Sequence, residues 1–223
     1  MNEKKVIGIV LAGGSGTRFK GAVPKQYCLL AGKEVISYSI DAFRKAASVD
    51  EVIVIVDAKE YAEGRIAKTY GVTTVLGGST RNESFGNALA YIRKTFPACT
   101  KIIENNAACP LVQPQQIDAM VALLDEYDYV QSTFKITDAL GSYSSRTVDR
   151  EDYFLIQAPD AYRFPLLGSC FDAAHPNGHP AVQLPTEARG YNYFVEGQPF
   201  KITYPDDLEI AEILLRRIGE GKK

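Results

Sequence analysis

The sequence is poor in the residues that build metal and disulfide frameworks. Its 223 residues include only two histidines, His175 and His179, and four cysteines, Cys28, Cys99, Cys109 and Cys170. No two cysteines form a CxxC pair, so a zinc-type site has no ligand set to draw on, and the thiols read as reduced core or near-site residues. No apolar stretch is long enough to cross a bilayer. The opening MNEKK leads straight into a strand without an apolar leader, so the cytoplasm is the expected location. Blocks of like charge are also missing: 25 basic and 27 acidic residues leave a formal net charge of -2. A nucleic acid or a membrane would find little to hold, whereas a free nucleotide or small phosphate needs only a local positive site. There is no linker, repeat or low-complexity segment. With 46% hydrophobic residues, residues 1–223 are expected to form one domain around one core.

What the chain does have is alternation. Val6 to Leu11 is an apolar run broken only by Gly8 and reads as a buried strand. Helical spacing follows over 37–47, a valine- and isoleucine-rich strand over 51–56, a helix over 61–70 and a short strand over 72–76. The next helix should begin near Asn82 or Ser84, with Phe85, Leu89, Ile92 and Phe96 as its apolar stripe. Lys101 to Glu104 suits a strand. Pro114 suits the first turn of a helix carrying Ile117, Met120, Val121 and Leu124, and Tyr129 to Phe134 returns to strand. This order predicts an α/β fold with a mainly parallel sheet and helices on both faces. After Thr137 the pattern breaks. Residues 138–162 carry no helical stripe and are expected to form an arm or an irregular β excursion within the domain, since so long a connection is unusual without a role. Near the end, Asp206 and Glu209 fit a capping box ahead of a final helix bearing Leu208, Ile210, Ala211, Ile213 and Leu214.

The segment LAGGSGTRFKGAVPKQY carries the most chemistry. A buried strand delivers it to the carboxyl edge of the sheet, where open α/β folds place ligands. Gly13, Gly14 and Gly16 allow sharp turns and close approach, so that successive amides can face phosphate oxygens. Arg18 adds a fork of donors and Lys25 a compact positive charge. The motif is neither GxxxxGK[ST] nor GxGxxG, because Phe19 stands where the latter needs glycine. The plainer alternative is a tight turn with two solvent-facing charges.

At these residues the chain resembles the cytidylyltransferase family that includes methylerythritol-phosphate cytidylyltransferase and ribitol-phosphate cytidylyltransferase. LAGGSGTRF and PKQY match its opening signature. GGSTRNES (Gly77 to Ser84) matches a second motif, in a form that leans toward the ribitol-phosphate branch. TVDR (147–150), QAPDAY (157–162) and KITYPDDL (201–208) follow in the family's order. The resemblance implies a Rossmann-like nucleotidyltransferase fold, a projecting dimer arm and a homodimer. It also implies cytidylyl transfer from CTP to a polyol or sugar phosphate with release of pyrophosphate, assisted by Mg2+, as in isoprenoid biosynthesis. By the same resemblance Arg18, Lys25 and Lys201 would stabilise the reacting phosphate. Leu11, Ala12, Gly13, Gly14, Gly16 and Thr17 would hold the nucleotide on one side, and Gly78, Arg81 and Ser84 on the other. Asp138 and Arg150 would contact the phosphorylated acceptor, sometimes across a dimer partner.

The chain departs from the family where HDAARP is usual. Here the segment is ENNAACP, with Asn106 in the aspartate's place and Cys109 in the arginine's. An amide can coordinate a cation through its oxygen but brings no charge, and a thiol cannot replace a guanidinium fork. Pro180 and Ala181 stand near the place of the family's TD pair, and Gln198, Pro199 and Phe200 precede the KIT motif without a carboxylate. Asn106 is the one metal candidate left, with Glu104 either a compensating carboxylate or a structural one. The triphosphate side is therefore expected to be intact and the metal and acceptor sides altered. Two other readings stay open: a nucleotide-binding or scaffold protein without turnover, and a UTP-dependent sugar-phosphate nucleotidyltransferase. His175 and His179, in HPNGHP, read as surface-loop residues.

Overall fold

The computed structural model describes residues 5–14, 16, 18–21, 23–196 and 200–221. In chain order these form β1 (Val6–Leu11), a small antiparallel hairpin of β2 (Leu29–Leu30) and β3 (Lys33–Glu34), α1 (Val35–Lys45), β4 (Glu51–Val56), α2 (Ala58–Glu63), α3 (Arg65–Tyr70), β5 (Thr73–Leu76) and α4 (Arg81–Thr95). There follow β6 (Lys101–Asn106), α5 (Pro114–Leu123), β7 (Tyr129–Lys135), β8 (Phe154–Arg163), α6 (Phe164–Cys170), β9 (Gly190–Phe194) and α7 (Asp207–Glu220). Seven strands make one sheet in the order β5-β4-β1-β6-β8-β7-β9. The pairs β4–β5, β1–β4, β1–β6 and β7–β9 are parallel, while β8 runs antiparallel to both of its neighbours.

Side chains alternate across a strand, so each buried strand feeds two cores. Ile7, Ile9, Ile53, Ile55 and Ile102 pack under Phe85, Leu89 and Ile92 of α4. Val10, Val52, Val54 and Ile103 pack on the other face under Ile36, Ile40 and Phe43 of α1 and Ile117 and Met120 of α5. A third cluster joins Phe19, Leu30, Val35, Ala108, Ile202 and Ala211, and so ties the glycine-rich segment, the hairpin and α7 together beside the end of β6.

Three local expectations change. The stretch 61–70 is two helices rather than one, because Gly64 adopts φ 63 and ends α2 before α3 begins. α4 starts one residue earlier than expected, at Arg81, with Thr80 as its cap: the Thr80 hydroxyl oxygen accepts from the Glu83 amide at 3.1 Å. The capping box at Asp206 does not form. Instead Asp207 Oδ2 accepts from the Thr203 and Tyr204 amides, at 2.6 and 2.8 Å.

The largest change concerns residues 138–162. Their first part is irregular and exposed, but Phe154–Arg163 is the reversed strand β8, inserted between β6 and β7 with Asp160, Ala161 and Tyr162 buried. A register irregularity in its pairing with β7, between Gln131 and Thr133, coincides with Pro159, which has no amide to donate to the ladder.

Candidate active site

β1 is flanked by β4 on one side and β6 on the other. The chain leaving β1 turns toward β4, so a crevice opens above the carboxyl ends of β1 and β6, where such sheets bind ligands. The Ala12 amide still donates to Ile55 O at 2.8 Å, and the glycine-rich loop begins beyond it. Two features shape that loop. Gly16 adopts φ 62, a conformation that favours glycine, and its carbonyl accepts from the Phe19 amide at 2.8 Å. Gln26, nearly fully buried, donates from Nε2 to the carbonyls of Ala12 and Gly14 at 2.7 and 3.2 Å. With those carbonyls held by one side chain, the neighbouring amides are left for a ligand.

The crevice is a cleft of about 400 Å3. One wall is Leu11, Ala12, Gly13, Gly14 and Gly16 with Arg18 and Lys25, and the opposite wall is Gly78 to Arg81 with Ser84. Asn106 to Ala108 and Lys201 with Thr203 complete the lining. The structure thus gathers the catalytic and nucleotide-binding residues expected from the sequence, except Thr17, which lies outside the described residues. The second wall depends on a close approach: a Cβ on Gly78 would collide with Glu83 Cβ. Ser84 Oγ accepts from the Gly78 amide at 3.0 Å and holds that turn against α4.

Positive charge dominates the first wall. Lys25 Nζ donates to Ile202 O at 2.6 Å. Its pKa lies below the usual lysine value, first because it is partly buried and then because Lys201 and Arg18 repel its charge. The Asp207 carboxylate acts in the opposite direction. Cys109 is buried among the groups behind this wall. Burial pushes its thiol up to about 12 despite the pull of Lys201 and Lys25, so it stays protonated and unreactive.

The metal candidates fare differently. Asn106 does line the cleft, but its Oδ1 accepts from the Ala108 amide at 3.0 Å, and no carboxylate lines the cleft among the described residues. Glu104 lies two residues deeper in β6 with no exposed surface, and its Oε1 accepts from Arg81 Nη2 at 2.5 Å. It therefore does not compensate as a metal ligand. Asp207 is occupied by two backbone amides. No group of three or more His, Cys, Asp or Glu residues placed to hold an ion occurs among the described residues. These side chains do not make a protein-held magnesium site.

Asp138 and Arg150 are not brought to this cleft. Both are exposed in the stretch between β7 and β8, where Arg150 Nη1 donates to Thr137 O at 2.7 Å. The HPNGHP segment, expected as a surface loop, lies at the surface and is tied to the start of α4. Arg81 Nη1 donates to Gly178 O at 2.5 Å, and Asn82 Nδ2 donates to His175 O and Asn177 O at 2.8 and 3.0 Å. Nothing in the sequence signals those contacts. Gln26, also missed, sits inside the PKQY motif, where a buried amide beside a glycine loop was the available clue.

Among the described residues no helix is long and apolar enough to cross a membrane. Comparison with known proteins fits this geometry. The family model for 2-C-methyl-D-erythritol 4-phosphate cytidylyltransferase matches residues 6–217. The chain is 33% identical over 231 residues to the enzyme of that name from Lachnoclostridium phytofermentans, covering 96% of this chain and 97% of that one. It is 28% identical over 237 residues to the bifunctional ribulose 5-phosphate reductase/CDP-ribitol pyrophosphorylase of Haemophilus influenzae, covering 97% of this chain and 49% of that one. Two solved structures share the fold. The 4-diphosphocytidyl-2C-methyl-D-erythritol synthase of Anaerococcus prevotii superposes with a TM-score of 0.80 at 17% identity, covering 96% of this chain and 97% of that one. The 2-C-methyl-D-erythritol 4-phosphate cytidylyltransferase of Thermus thermophilus gives 0.72 at 23%, covering 96% and 100%. The seven-stranded, mostly parallel sheet flanked by helices is thus the Rossmann-like nucleotidyltransferase fold, and the chain belongs to the 2-C-methyl-D-erythritol 4-phosphate cytidylyltransferase family.

Proposed function

We propose that this protein transfers a cytidylyl group from CTP to a phosphorylated polyol or sugar and releases pyrophosphate. The observation that carries this reading is the set of cations in one cleft, Arg18, Lys25 and Lys201, beside a glycine-rich loop whose carbonyls are held by Gln26. A phosphate oxygen of the acceptor forms a bond to the α-phosphorus of CTP, and the bond from that phosphorus to the bridging oxygen breaks. The electron pair leaves with pyrophosphate. Fixed positive charge in a preorganised site stabilises the negative charge that builds up on the transferring group and the leaving oxygen. Lys25, anchored on Ile202 O, and Lys201 are assigned that role, with the exposed Arg18 closing on the phosphates from the loop. Since no carboxylate lines the cleft among the described residues, a magnesium ion would enter on the triphosphate oxygens.

A second copy of the chain is the partner that suits the arm. Phe154, Leu155 and Ile156 of β8 and Phe194 of the edge strand β9 are all exposed, at 37 to 59%. Ile156 and Phe194 both pair with Thr133, one from each side. Exposed apolar side chains on the two strands that flank β7 suit a twofold interface. Asp138 and Arg150 lie on the same arm, so a partner's cleft is where they would meet an acceptor. Sedimentation at high protein concentration should give a dimer, and a monomer alone would refute this.

The activity is tested with the purified protein, magnesium, each nucleoside triphosphate and a panel of polyol and sugar phosphates, with pyrophosphate as the readout. Turnover with CTP and a polyol phosphate is expected. CTP binding without pyrophosphate from any acceptor would favour a protein that binds nucleotide without turnover, and preferential use of UTP would move the reading to a uridylyl donor.

A further inference from the structure

One buried group of charges plays no part in the chemistry above. Beneath the first turn of α4, Glu104 of β6 and Asp160 of β8 are direct cross-strand partners, 0% and 2% exposed. Glu104 Oε1 accepts from Arg81 Nη2 at 2.5 Å, and His179 Nε2 lies 3.4 Å from Asp160 Oδ2. Glu104 Oε2, Asp160 Oδ1 and the Tyr162 hydroxyl have no hydrogen-bond partner among the described residues. Burial, and then the charge of Glu104, hold the Asp160 carboxyl above the usual range, against His179 and Arg81. Two facing carboxylates with unsatisfied oxygens destabilise a sheet interior. A core selected only for stability would place apolar residues here, as the same two strands do one step away, where Ile103 faces Ala161.

What this arrangement produces is a fixed Arg81. Its guanidinium is tied at Nη2 to Glu104 and at Nη1 to Gly178 O, while 38% of its side chain stays exposed on the cleft wall. The second tie is itself supported, because His179 reaches Asp160 and Asn82 holds the carbonyls of His175 and Asn177. An arginine paired with a buried carboxylate carries little net charge but keeps directed N–H donors. Such a group suits neutral acceptors, a hydroxyl or a carbonyl oxygen, better than a polyphosphate, which the other wall already serves.

We propose that Glu104 is a positioning and specificity-determining residue: it fixes Arg81 and cancels its charge, so that this wall of the cleft recognises the nucleoside part of the substrate rather than its phosphates. The proposal rests on the cytidylyl-transfer reading, and the test separates the two. Affinities for CTP and for inorganic tripolyphosphate are measured by calorimetry on wild type, Glu104→Gln, Arg81→Lys and the double variant, with a thermal melt for each. Glu104→Gln keeps the size and an acceptor oxygen but frees the arginine's charge. It should weaken CTP binding by about tenfold, the scale of one charge-assisted contact, and leave tripolyphosphate binding unchanged or tighter. Arg81→Lys keeps the charge and loses the fork, so it should weaken CTP similarly, and the double variant should lose less than the two singles combined. A purely structural Glu104 would instead lower the melting temperature and affect both ligands in parallel, which would overturn the proposal. If Glu104→Gln does not fold, Arg81→Lys decides, and unchanged CTP affinity there overturns it. Wild-type protein that binds no CTP would sink the function reading and this proposal with it. Wild-type binding with Glu104→Gln unaltered would sink this proposal alone.

Discussion

The two walls of the cleft handle charge in opposite ways. On the glycine-loop wall Arg18 and Lys25, with Lys201 nearby in the lining, stand without a carboxylate among the described lining residues, and Lys25 is partly buried against its own preference. On the facing wall Arg81 is neutralised by Glu104, which is fully buried. Uncompensated cations destabilise the empty protein but meet a polyanion with attraction already in place, whereas a compensated cation keeps its hydrogen-bond directions and gives up its long-range pull. The difference shows how one small cleft separates the work of holding phosphate from the work of reading the rest of a substrate.

The comparison breaks most directly if the first wall is discharged. The double variant Arg18→Ala, Lys25→Ala removes two charge-assisted contacts worth roughly 1.5–3 kcal/mol each. Calorimetry should show CTP affinity falling by two orders of magnitude or more without unfolding, and equal affinity in both proteins would refute the assignment. Gln26→Ala comes next. It leaves the Ala12 and Gly14 carbonyls without their donor, at a cost of about 1–3 kcal/mol. A lower melting temperature together with a raised KM for CTP is expected, and an unchanged KM would show that the loop holds its shape unaided.

Asn106→Asp places a carboxylate in a cleft whose described lining has none. Half-maximal turnover should then need less magnesium, read from pyrophosphate release across magnesium concentrations. An identical magnesium profile would show that the ion never meets this position. The companion change Cys109→Arg is expected to destabilise instead, because the thiol is buried beside Lys25 and Lys201.

The smallest effect is in pH. Lys25 has a lowered pKa in the free protein, so it loses its proton earlier than a solvent-exposed lysine as pH rises. CTP affinity should therefore decline with rising pH before ordinary lysines titrate. Stability should move the other way. Between the lowered pKa and the usual lysine value the unfolded chain binds more protons, so the free protein gains stability as pH rises through that window. Lys25→Met should abolish this alkaline gain, and melts over an alkaline series would detect it. A slope that persists in Lys25→Met would place its source elsewhere.

Much of this molecule could be read from residue order. The apolar runs of β1 and β4 read as buried strands, and the glycine-rich loop with Arg18 and Lys25 was legible as a candidate phosphate site, with a tight turn and two solvent-facing charges as the alternative. β8 was hidden because Gln157, Pro159 and Asp160 interrupt its apolar pattern, and because one partner, β6, lies some fifty residues earlier in the chain. Its burial comes from neighbours that local periodicity does not report. The break at Gly64 was hidden for a simpler reason: apart from that glycine Tyr61 to Tyr70 keeps helical composition, and one glycine inside a helix is tolerated unless its backbone turns left-handed, as it does here.

Local order determined the properties that depend on residue type and short spacing: strand-forming runs, the turn a glycine permits, and the charge a lysine carries to the end of a strand. The identity of Asn106 and Cys109, an amide and a thiol, was likewise plain from the chain. Which way Glu104 faces was decided by folding, since a carboxylate in β6 could have met a metal in the cleft and instead meets Arg81 from α4. The same holds for the HPNGHP segment, nearly a hundred residues from Arg81 in sequence yet hydrogen-bonded to it. Contacts of that kind depend on how strands and helices stack, and stacking is a property of the whole packed core, which no short stretch of sequence contains.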